Sequence, residues 1–249
     1  AAGKHGDEAM NADAKVDTAV SAIYVDESRY NLYTMPHKAL RRAQMLLLTR
    51  LGALDADDTA AVAALVADMR MLNAAGRGHL EHENIHIHQV IEAHVIGATE
   101  QLAEEHEEHE RDFDELDAML ARIETAPAAE LPGLLRGLYL RYSLFIADDL
   151  QHMAEEETET LSLLHQLFGD AELRAIEQRI VSSIDAETMM GFLRLMMPAM
   201  NHGERLEMLG GMKAAMPAPI FAMVCETNVK PFLEANAWRK LESALASAN

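Results

Sequence analysis

Helix-forming residues with apolar positions three and four apart recur along almost the whole chain, and no stretch alternates apolar with polar residues as a half-buried strand would. Ala, Leu, Met, Glu and Arg dominate, while Val, Ile, Tyr and Phe are sparse, so intrinsic propensity points to an all-α protein. A first helix is expected over 36–52, with Pro36 at a first-turn position and Leu40, Ala43, Leu46 and Leu47 on one side. The acidic start Asp57-Asp58-Thr59 opens a second over 57–92, with apolar positions at Val62, Leu65, Met69 and Leu72. A third runs over 99–124 around Leu102, Phe113, Leu116 and Leu120, and a fourth over 132–168 after a turn at Pro127–Pro132. Four long helices joined by short connections imply an antiparallel up-and-down four-helix bundle over 35–169. Residues 1–34 read as a polar tail and an irregular lead-in. Residues 170–249 read as additional helices over 171–184, 186–197, 203–215 and 219–249, packed on the bundle.

The formal charge of −20, with no basic cluster, excludes a phosphate backbone or an anionic membrane as partner. The single cysteine, Cys225, allows neither an internal disulfide nor a thiolate zinc site and is expected as a small buried hydrophobe. No stretch approaches the ~18 apolar residues that span a bilayer, and the first residues lack an apolar leader core. The expectation is therefore a soluble, cytoplasmic protein. The run Met189, Met190, Met196, Met197, Met200, Met208, Met212 and Met216 could form a thioether site for copper, but its helical spacing fits adaptable core packing better.

Seven of the twelve histidines fall between positions 79 and 109. His79 and Glu83 stand four apart on the second helix, hence on one face, and His152 and Glu156 repeat that spacing on the fourth. His37 on the first helix and His106 on the third add one imidazole each. A bundle can point these four imidazoles and two carboxylates at one interior point. Imidazole suits Fe, Zn, Cu or Ni, and a carboxylate has two oxygens with which to bridge two cations. With Glu83 and Glu156 bridging, each ion receives two nitrogens and two oxygens and keeps open positions. Two buried carboxylates also need cations, since they cannot both ionise cheaply alone.

His37 in a His-Lys-x-Leu-Arg opening, His79-x-x-x-Glu83, His106 after an acidic pair, and His152-x-x-x-Glu156 followed by further acids resemble the hemerythrin-like, or HHE cation-binding, family. The resemblance covers about 36–168. It implies a hemerythrin-type bundle with two iron ions, bridged by oxide or hydroxide and by Glu83 and Glu156, with His37, His79, His106 and His152 as terminal ligands; zinc or manganese are alternatives. It is closer to the iron-sensing domain of the eukaryotic F-box protein and its bacterial cousins than to the invertebrate oxygen carriers. Those carriers place a second histidine four residues after the third-helix ligand, where this chain has Glu110, and their fourth-helix pair is His-x-x-x-x-Asp. Glu110 shares the face of His106 and is a candidate oxygen ligand, which would favour the ferric state.

His82 and His86 lie within about 60° of the His79 face at 100° per residue and are candidates for an extra ligand or for support behind one. His109 competes with His106 as the third-helix ligand, with His106 preferred. His88 and His94 are expected on the surface or in a loop, and His5, His165 and His202 in solvent. Asp148, Asp149, Glu155 and Glu157 read as a hydrated acidic face, although Asp148, one turn before His152, could orient an imidazole. Tyr30, Tyr33, Tyr139 and Tyr142 read as packing. The leading functional expectation is binding of dioxygen or another diatomic, or sensing of iron or redox state. The alternatives are an enzyme (a peroxidase, nitric oxide reductase or oxygen-dependent oxidase) and iron storage or scavenging. The carboxyl-terminal extension could cover the site, form a homodimer surface or line a substrate pocket.

Overall fold

The computed structural model describes residues 26 and 28–247, so the expected tail, the first part of the lead-in and His5 lie outside the described residues. The described residues form nine α-helices and no strand. Helix α1, Thr34–Gly52, begins two residues before Pro36 because the Asn31 side chain accepts hydrogen bonds from the backbone N–H groups of Tyr33 and Thr34. Helix α2 runs Thr59–Glu83, capped by Asp58 as its sequence suggests, then passes through a π turn at Asn84–His88 into Gln89–Glu92. Helix α3 is Glu100–Thr125. Helix α4 runs Leu131–Glu155, through a second π turn at Glu156–Thr160, into Leu161–Leu167.

Cross-helix contacts set the direction of each neighbour. Arg50 meets Asp68 and His37 meets Glu83, Arg70 meets Glu124 and Asn84 meets His106, Arg141 meets Glu115 and His152 meets Glu105, and Gln44 meets Asp149 and His37 meets Glu157. In every pair the numbers rise on one helix as they fall on the other. Helices α1 to α4 are therefore antiparallel around a ring, enclosing one apolar core that includes Leu40, Leu65, Leu116 and Leu138. Helix α2 approaches α3 closely at Gly76, where a Cβ would stand 2.5 Å from the Phe113 ring.

Helices α5 (Asp170–Ser183), α6 (Ala186–Ala199), α7 (His202–Ala215), α8 (Ala218–Val224) and α9 (Ala235–Ser247) follow. The expected single helix over 219–249 is broken: α8 relaxes into a π turn at Cys225–Val229 and a 3-10 turn at Lys230–Phe232, where Pro231 cannot donate an N–H. Conversely, α6 continues through Pro198 to Ala199 instead of stopping before it. Helix α6 lies along α1, and a second core gathers Leu193, Met197, Met200, Leu209, Val224, Cys225, Trp238 and Leu241. Met35, Met190, Met196, Met208, Met212 and Met216 pack against it, so the methionine run, Met189 apart, is core filling. A third core joins Leu32 and Tyr33 of the lead-in to Ile87, Ile91, Leu161, Leu164, Leu173 and Ile176. Arg29 fastens the lead-in by donating to Asp170 and to the carbonyls of His165 and Phe168. No helix among the described residues is long and apolar enough to cross a membrane.

Candidate metal centre

Between the first and third cores, each helix of the ring contributes to one polar cluster: His37 from α1, His79 and Glu83 from α2, His106 from α3, His152 and Glu156 from α4. The helical offset of four places each histidine beside its own carboxylate, with Nε2 of His79 3.1 Å from Glu83 and Nε2 of His152 3.6 Å from Glu156. Across the bundle, His37 Nε2 stands 3.6 Å from Glu83 and 3.3 Å from Glu156, and His106 Nε2 stands 3.8 Å from each carboxylate. Two groups of potential metal ligands result, His37, His79, Glu83, Glu156 and Glu83, His106, His152, Glu156, each with its donor atoms within 4.8 Å of one another. Both carboxylates belong to both groups.

The donor atoms are buried, and apart from Nε2 of His106 and His152, which lie 3.0 Å from each other, they lack hydrogen bonds. His37 and Glu156 are 0% exposed, Glu83 and His106 2%, His152 4%, and only His79 reaches 12%. All four oxygens of Glu83 and Glu156, with Nε2 of His37 and His79, have no hydrogen-bond partner. Each such atom costs about 1–3 kcal/mol, and more where it is charged, unless something else satisfies it. A cation would: the buried groups have the chemistry to hold a metal ion.

The charge balance points the same way. Burial, then the neighbouring Glu156, pushes Glu83 up to about 7, whereas contacts from His106 and His37 hold Glu156 well below the usual carboxylate range against the opposing effect of burial. Burial opposes a charged His37 too, yet Glu156, Glu157 and Glu83 hold it well above the ordinary imidazole range. Burial and then His37 press His79 well below that range.

Three of the four imidazoles are fixed from behind. Nδ1 of His37 lies 3.0 Å from Glu157, that of His106 2.9 Å from Asn84 Oδ1, and that of His152 2.8 Å from Glu105. In a neutral imidazole each acceptor favours the proton on Nδ1, which would leave Nε2 as the lone-pair nitrogen toward a bound metal ion. Glu157 is held in turn by Arg41 and Thr34, and Glu105 by Gln101. None of these acceptors was marked for the role by its sequence spacing. Glu157 in particular, expected on a hydrated face, is an ion-pair partner inside the fold.

Other expected residues lie elsewhere. Glu110 pairs with Arg77, which also binds Asp114 and Asp117, so Glu110 is on the α3 surface outside the cluster. His82 and His86 stack on each other at 6.2 Å, outside both ligand groups. His109 is buried and packs edge-on against His152, but its Nε2 lies 3.3 Å from Asp148 and it belongs to neither group. Asp148 thus faces His109 rather than His152. Asp149, also expected in solvent, is buried and accepts from Gln44. His94 is exposed as expected, whereas His165, expected in solvent, bonds the carbonyl of Tyr30. His88 departs most: it is buried, stacks on His106 at 4.9 Å, and has neither ring nitrogen bonded. Tyr33 stacks on His37 at 5.4 Å with its hydroxyl unpartnered, so it borders the centre as well as filling the third core. Compared with known proteins, the chain matches no family model, no curated protein and no solved structure.

Proposed function

We propose that the cluster is a two-metal centre of hemerythrin type, with iron as its working metal, and that the protein binds dioxygen or a comparable diatomic, or reports iron and redox state through it. The observation that carries this reading is the sharing of both carboxylates by two buried groups of ligands. His37 and His79 would hold one ion, His106 and His152 the other, and Glu83 and Glu156 would span both. Four nitrogens against two bridging carboxylates suit iron, and Zn or Mn could occupy the same set. When bound, a pair of iron ions supplies open coordination positions and a reversible change of charge, the chemistry of taking up a small oxygen ligand.

The chain's own residues do the rest. Glu157, Asn84 and Glu105 keep three imidazoles turned inward. Leu161, Leu164, Ile87 and Ile91 exclude water from the end of the ring, and α5 covers the π turn of α2. The depth of the site favours a diatomic over an organic substrate, because five of its six ligand residues are at most 4% exposed.

Aerobically purified protein should contain two irons per chain and show near-ultraviolet oxygen-to-iron absorption that changes on reduction. His79→Ala and His152→Ala should each lose most of that absorption, whereas His82→Ala should keep it. Full iron content in both of the first two variants overturns the assignment. Uptake far above two ions per chain favours storage instead.

A further inference from the structure

The seam between α3 and α4 carries a second polar pair one helical turn from the cluster. His106 and His152 face each other across it, and three residues later on α3 and four earlier on α4, His109 Nε2 lies 3.3 Å from Asp148. His109 is 1% exposed and its ring meets that of His152 edge-on at 4.9 Å, whereas the Asp148 side chain is 63% exposed. The pair therefore reaches from solvent to a histidine of the cluster. Glu105, 26% exposed, stands in the same seam against Nδ1 of His152. Charge sets this seam apart. Where α1 meets α4, Arg41 neutralises Glu157, and where α2 meets α3, Arg77 binds three carboxylates. Asp148 and Glu105 have no Lys or Arg partner among the described residues; their contacts are with His109, His152 and Gln101. A cation approaching either of the other two seams meets a guanidinium, and here it meets carboxylates.

We propose that Asp148 and His109 form a capture site through which divalent transition-metal ions enter the cluster, an inference that rests on the two-metal reading above. Donors 3.3 Å apart can share one ion at about 2.1 Å from each, an ordinary bond length from zinc to an imidazole nitrogen or a carboxylate oxygen. One nitrogen and one oxygen suit such an ion better than calcium or magnesium, which take oxygen ligands. With only two protein donors and an exposed side open to water, the ion is held weakly enough to leave again. The next donors inward are those of His106 and His152, on the same two helices. His109 thus serves the centre as a station on the way in and belongs to neither of its ligand groups.

Stopped-flow loading of the chelator-treated full chain with Co²⁺, followed by its visible absorption, tests the route. Asp148→Asn and His109→Phe should each slow loading by about tenfold, the lower end of what a directing charge adds to association, while the final stoichiometry and spectrum stay those of the wild type. Asp114→Asn, which removes an exposed acid from the Arg77 seam, should load at the wild-type rate. A rate within about twofold of wild type in either folded variant overturns the proposal, and so does equal slowing by Asp114→Asn, which would mean that overall charge alone attracts the ion. A lowered final stoichiometry overturns it too, since the pair would then be part of the centre. Wild-type protein that takes up no Co²⁺ overturns the two-metal reading itself, and the route falls with it. If His109→Phe does not fold, the surface variant Asp148→Asn decides alone.

Discussion

A buried imidazole with both nitrogens unbonded is an expensive residue, and His88 is one. Burial, followed by the field of His106, presses its pKa down to about 4. Since its unfolded value is 6.5, the unfolded chain takes up a proton below that pH while the folded chain does not. Stability is therefore lost as pH falls from 6.5 towards 4, by roughly 3 kcal/mol in all. His88→Phe should keep the stack on His106, remove the two unbonded nitrogens, and stabilise metal-free protein by about 1–3 kcal/mol at neutral pH. It should also flatten acid destabilisation over that window. Urea titrations of chelator-treated wild type and variant at pH 7 and 5 measure both effects, and unchanged metal content in the variant would confirm that His88 is no ligand. At this scale four of the six clustered residues were legible because an offset of four writes His79–Glu83 and His152–Glu156 into the local sequence, whereas His37 and His106 stand as single histidines on their helices. Glu157, Asn84 and Glu105 were not, because each touches a histidine on another helix and no local spacing encodes that contact.

A helix wheel explains why His88 was misplaced. At 100° per residue it stands about 140° from Glu83 and faces solvent. The π turn over Asn84–His88 lengthens the hydrogen-bonded ring by one residue and turns the chain less per step, so Ile87 and His88 both face inward behind Glu83. The same device follows His152–Glu156: Glu156, Thr160 and Leu161 are all buried, a set that one α-helical stripe would not hold. The existence and order of the helices follow from apolar periodicity, but these local changes of period depend on which cores must be served on either side of the cluster. Helix α2 also offers a paired test of packing against propensity. Gly76→Ala sets a Cβ 2.5 Å from Phe113, whereas Gly78 has nothing within 4 Å. Gly78→Ala should stabilise the protein by up to about 1 kcal/mol through helix propensity. Gly76→Ala should destabilise it by about 1–3 kcal/mol despite the same propensity gain, because the ring is held by Phe145 and Arg77. Thermal unfolding of the two single variants separates the terms.

For the whole molecule, the question is whether the methionine-rich core and the His/Glu cluster open together. They share α1: His37 points into the cluster, Met35 packs against the second core, and Lys38 pairs with Glu204 of α7. Leu195 of α6 packs on the first core. Cys225 reports from the far side of this connection. It is 5% exposed, and burial, then Glu226 and Glu242, pushes its thiol up to about 11, so the folded thiol is nearly inert at pH 8 and alkylation proceeds through opened molecules. A metal that binds only the closed cluster suppresses cooperative opening by a factor of 1 + [L]/Kd, about 100-fold with free metal at 100 times Kd, or about 2.7 kcal/mol. If α1 transmits that stabilisation, metal loading should slow Cys225 alkylation by about the same factor, measured by mass spectrometry against the rate in denaturant. An unchanged rate would mean that the second core opens without the first, and the contacts of Met35, Lys38 and Leu195 would then be too weak to couple the two halves.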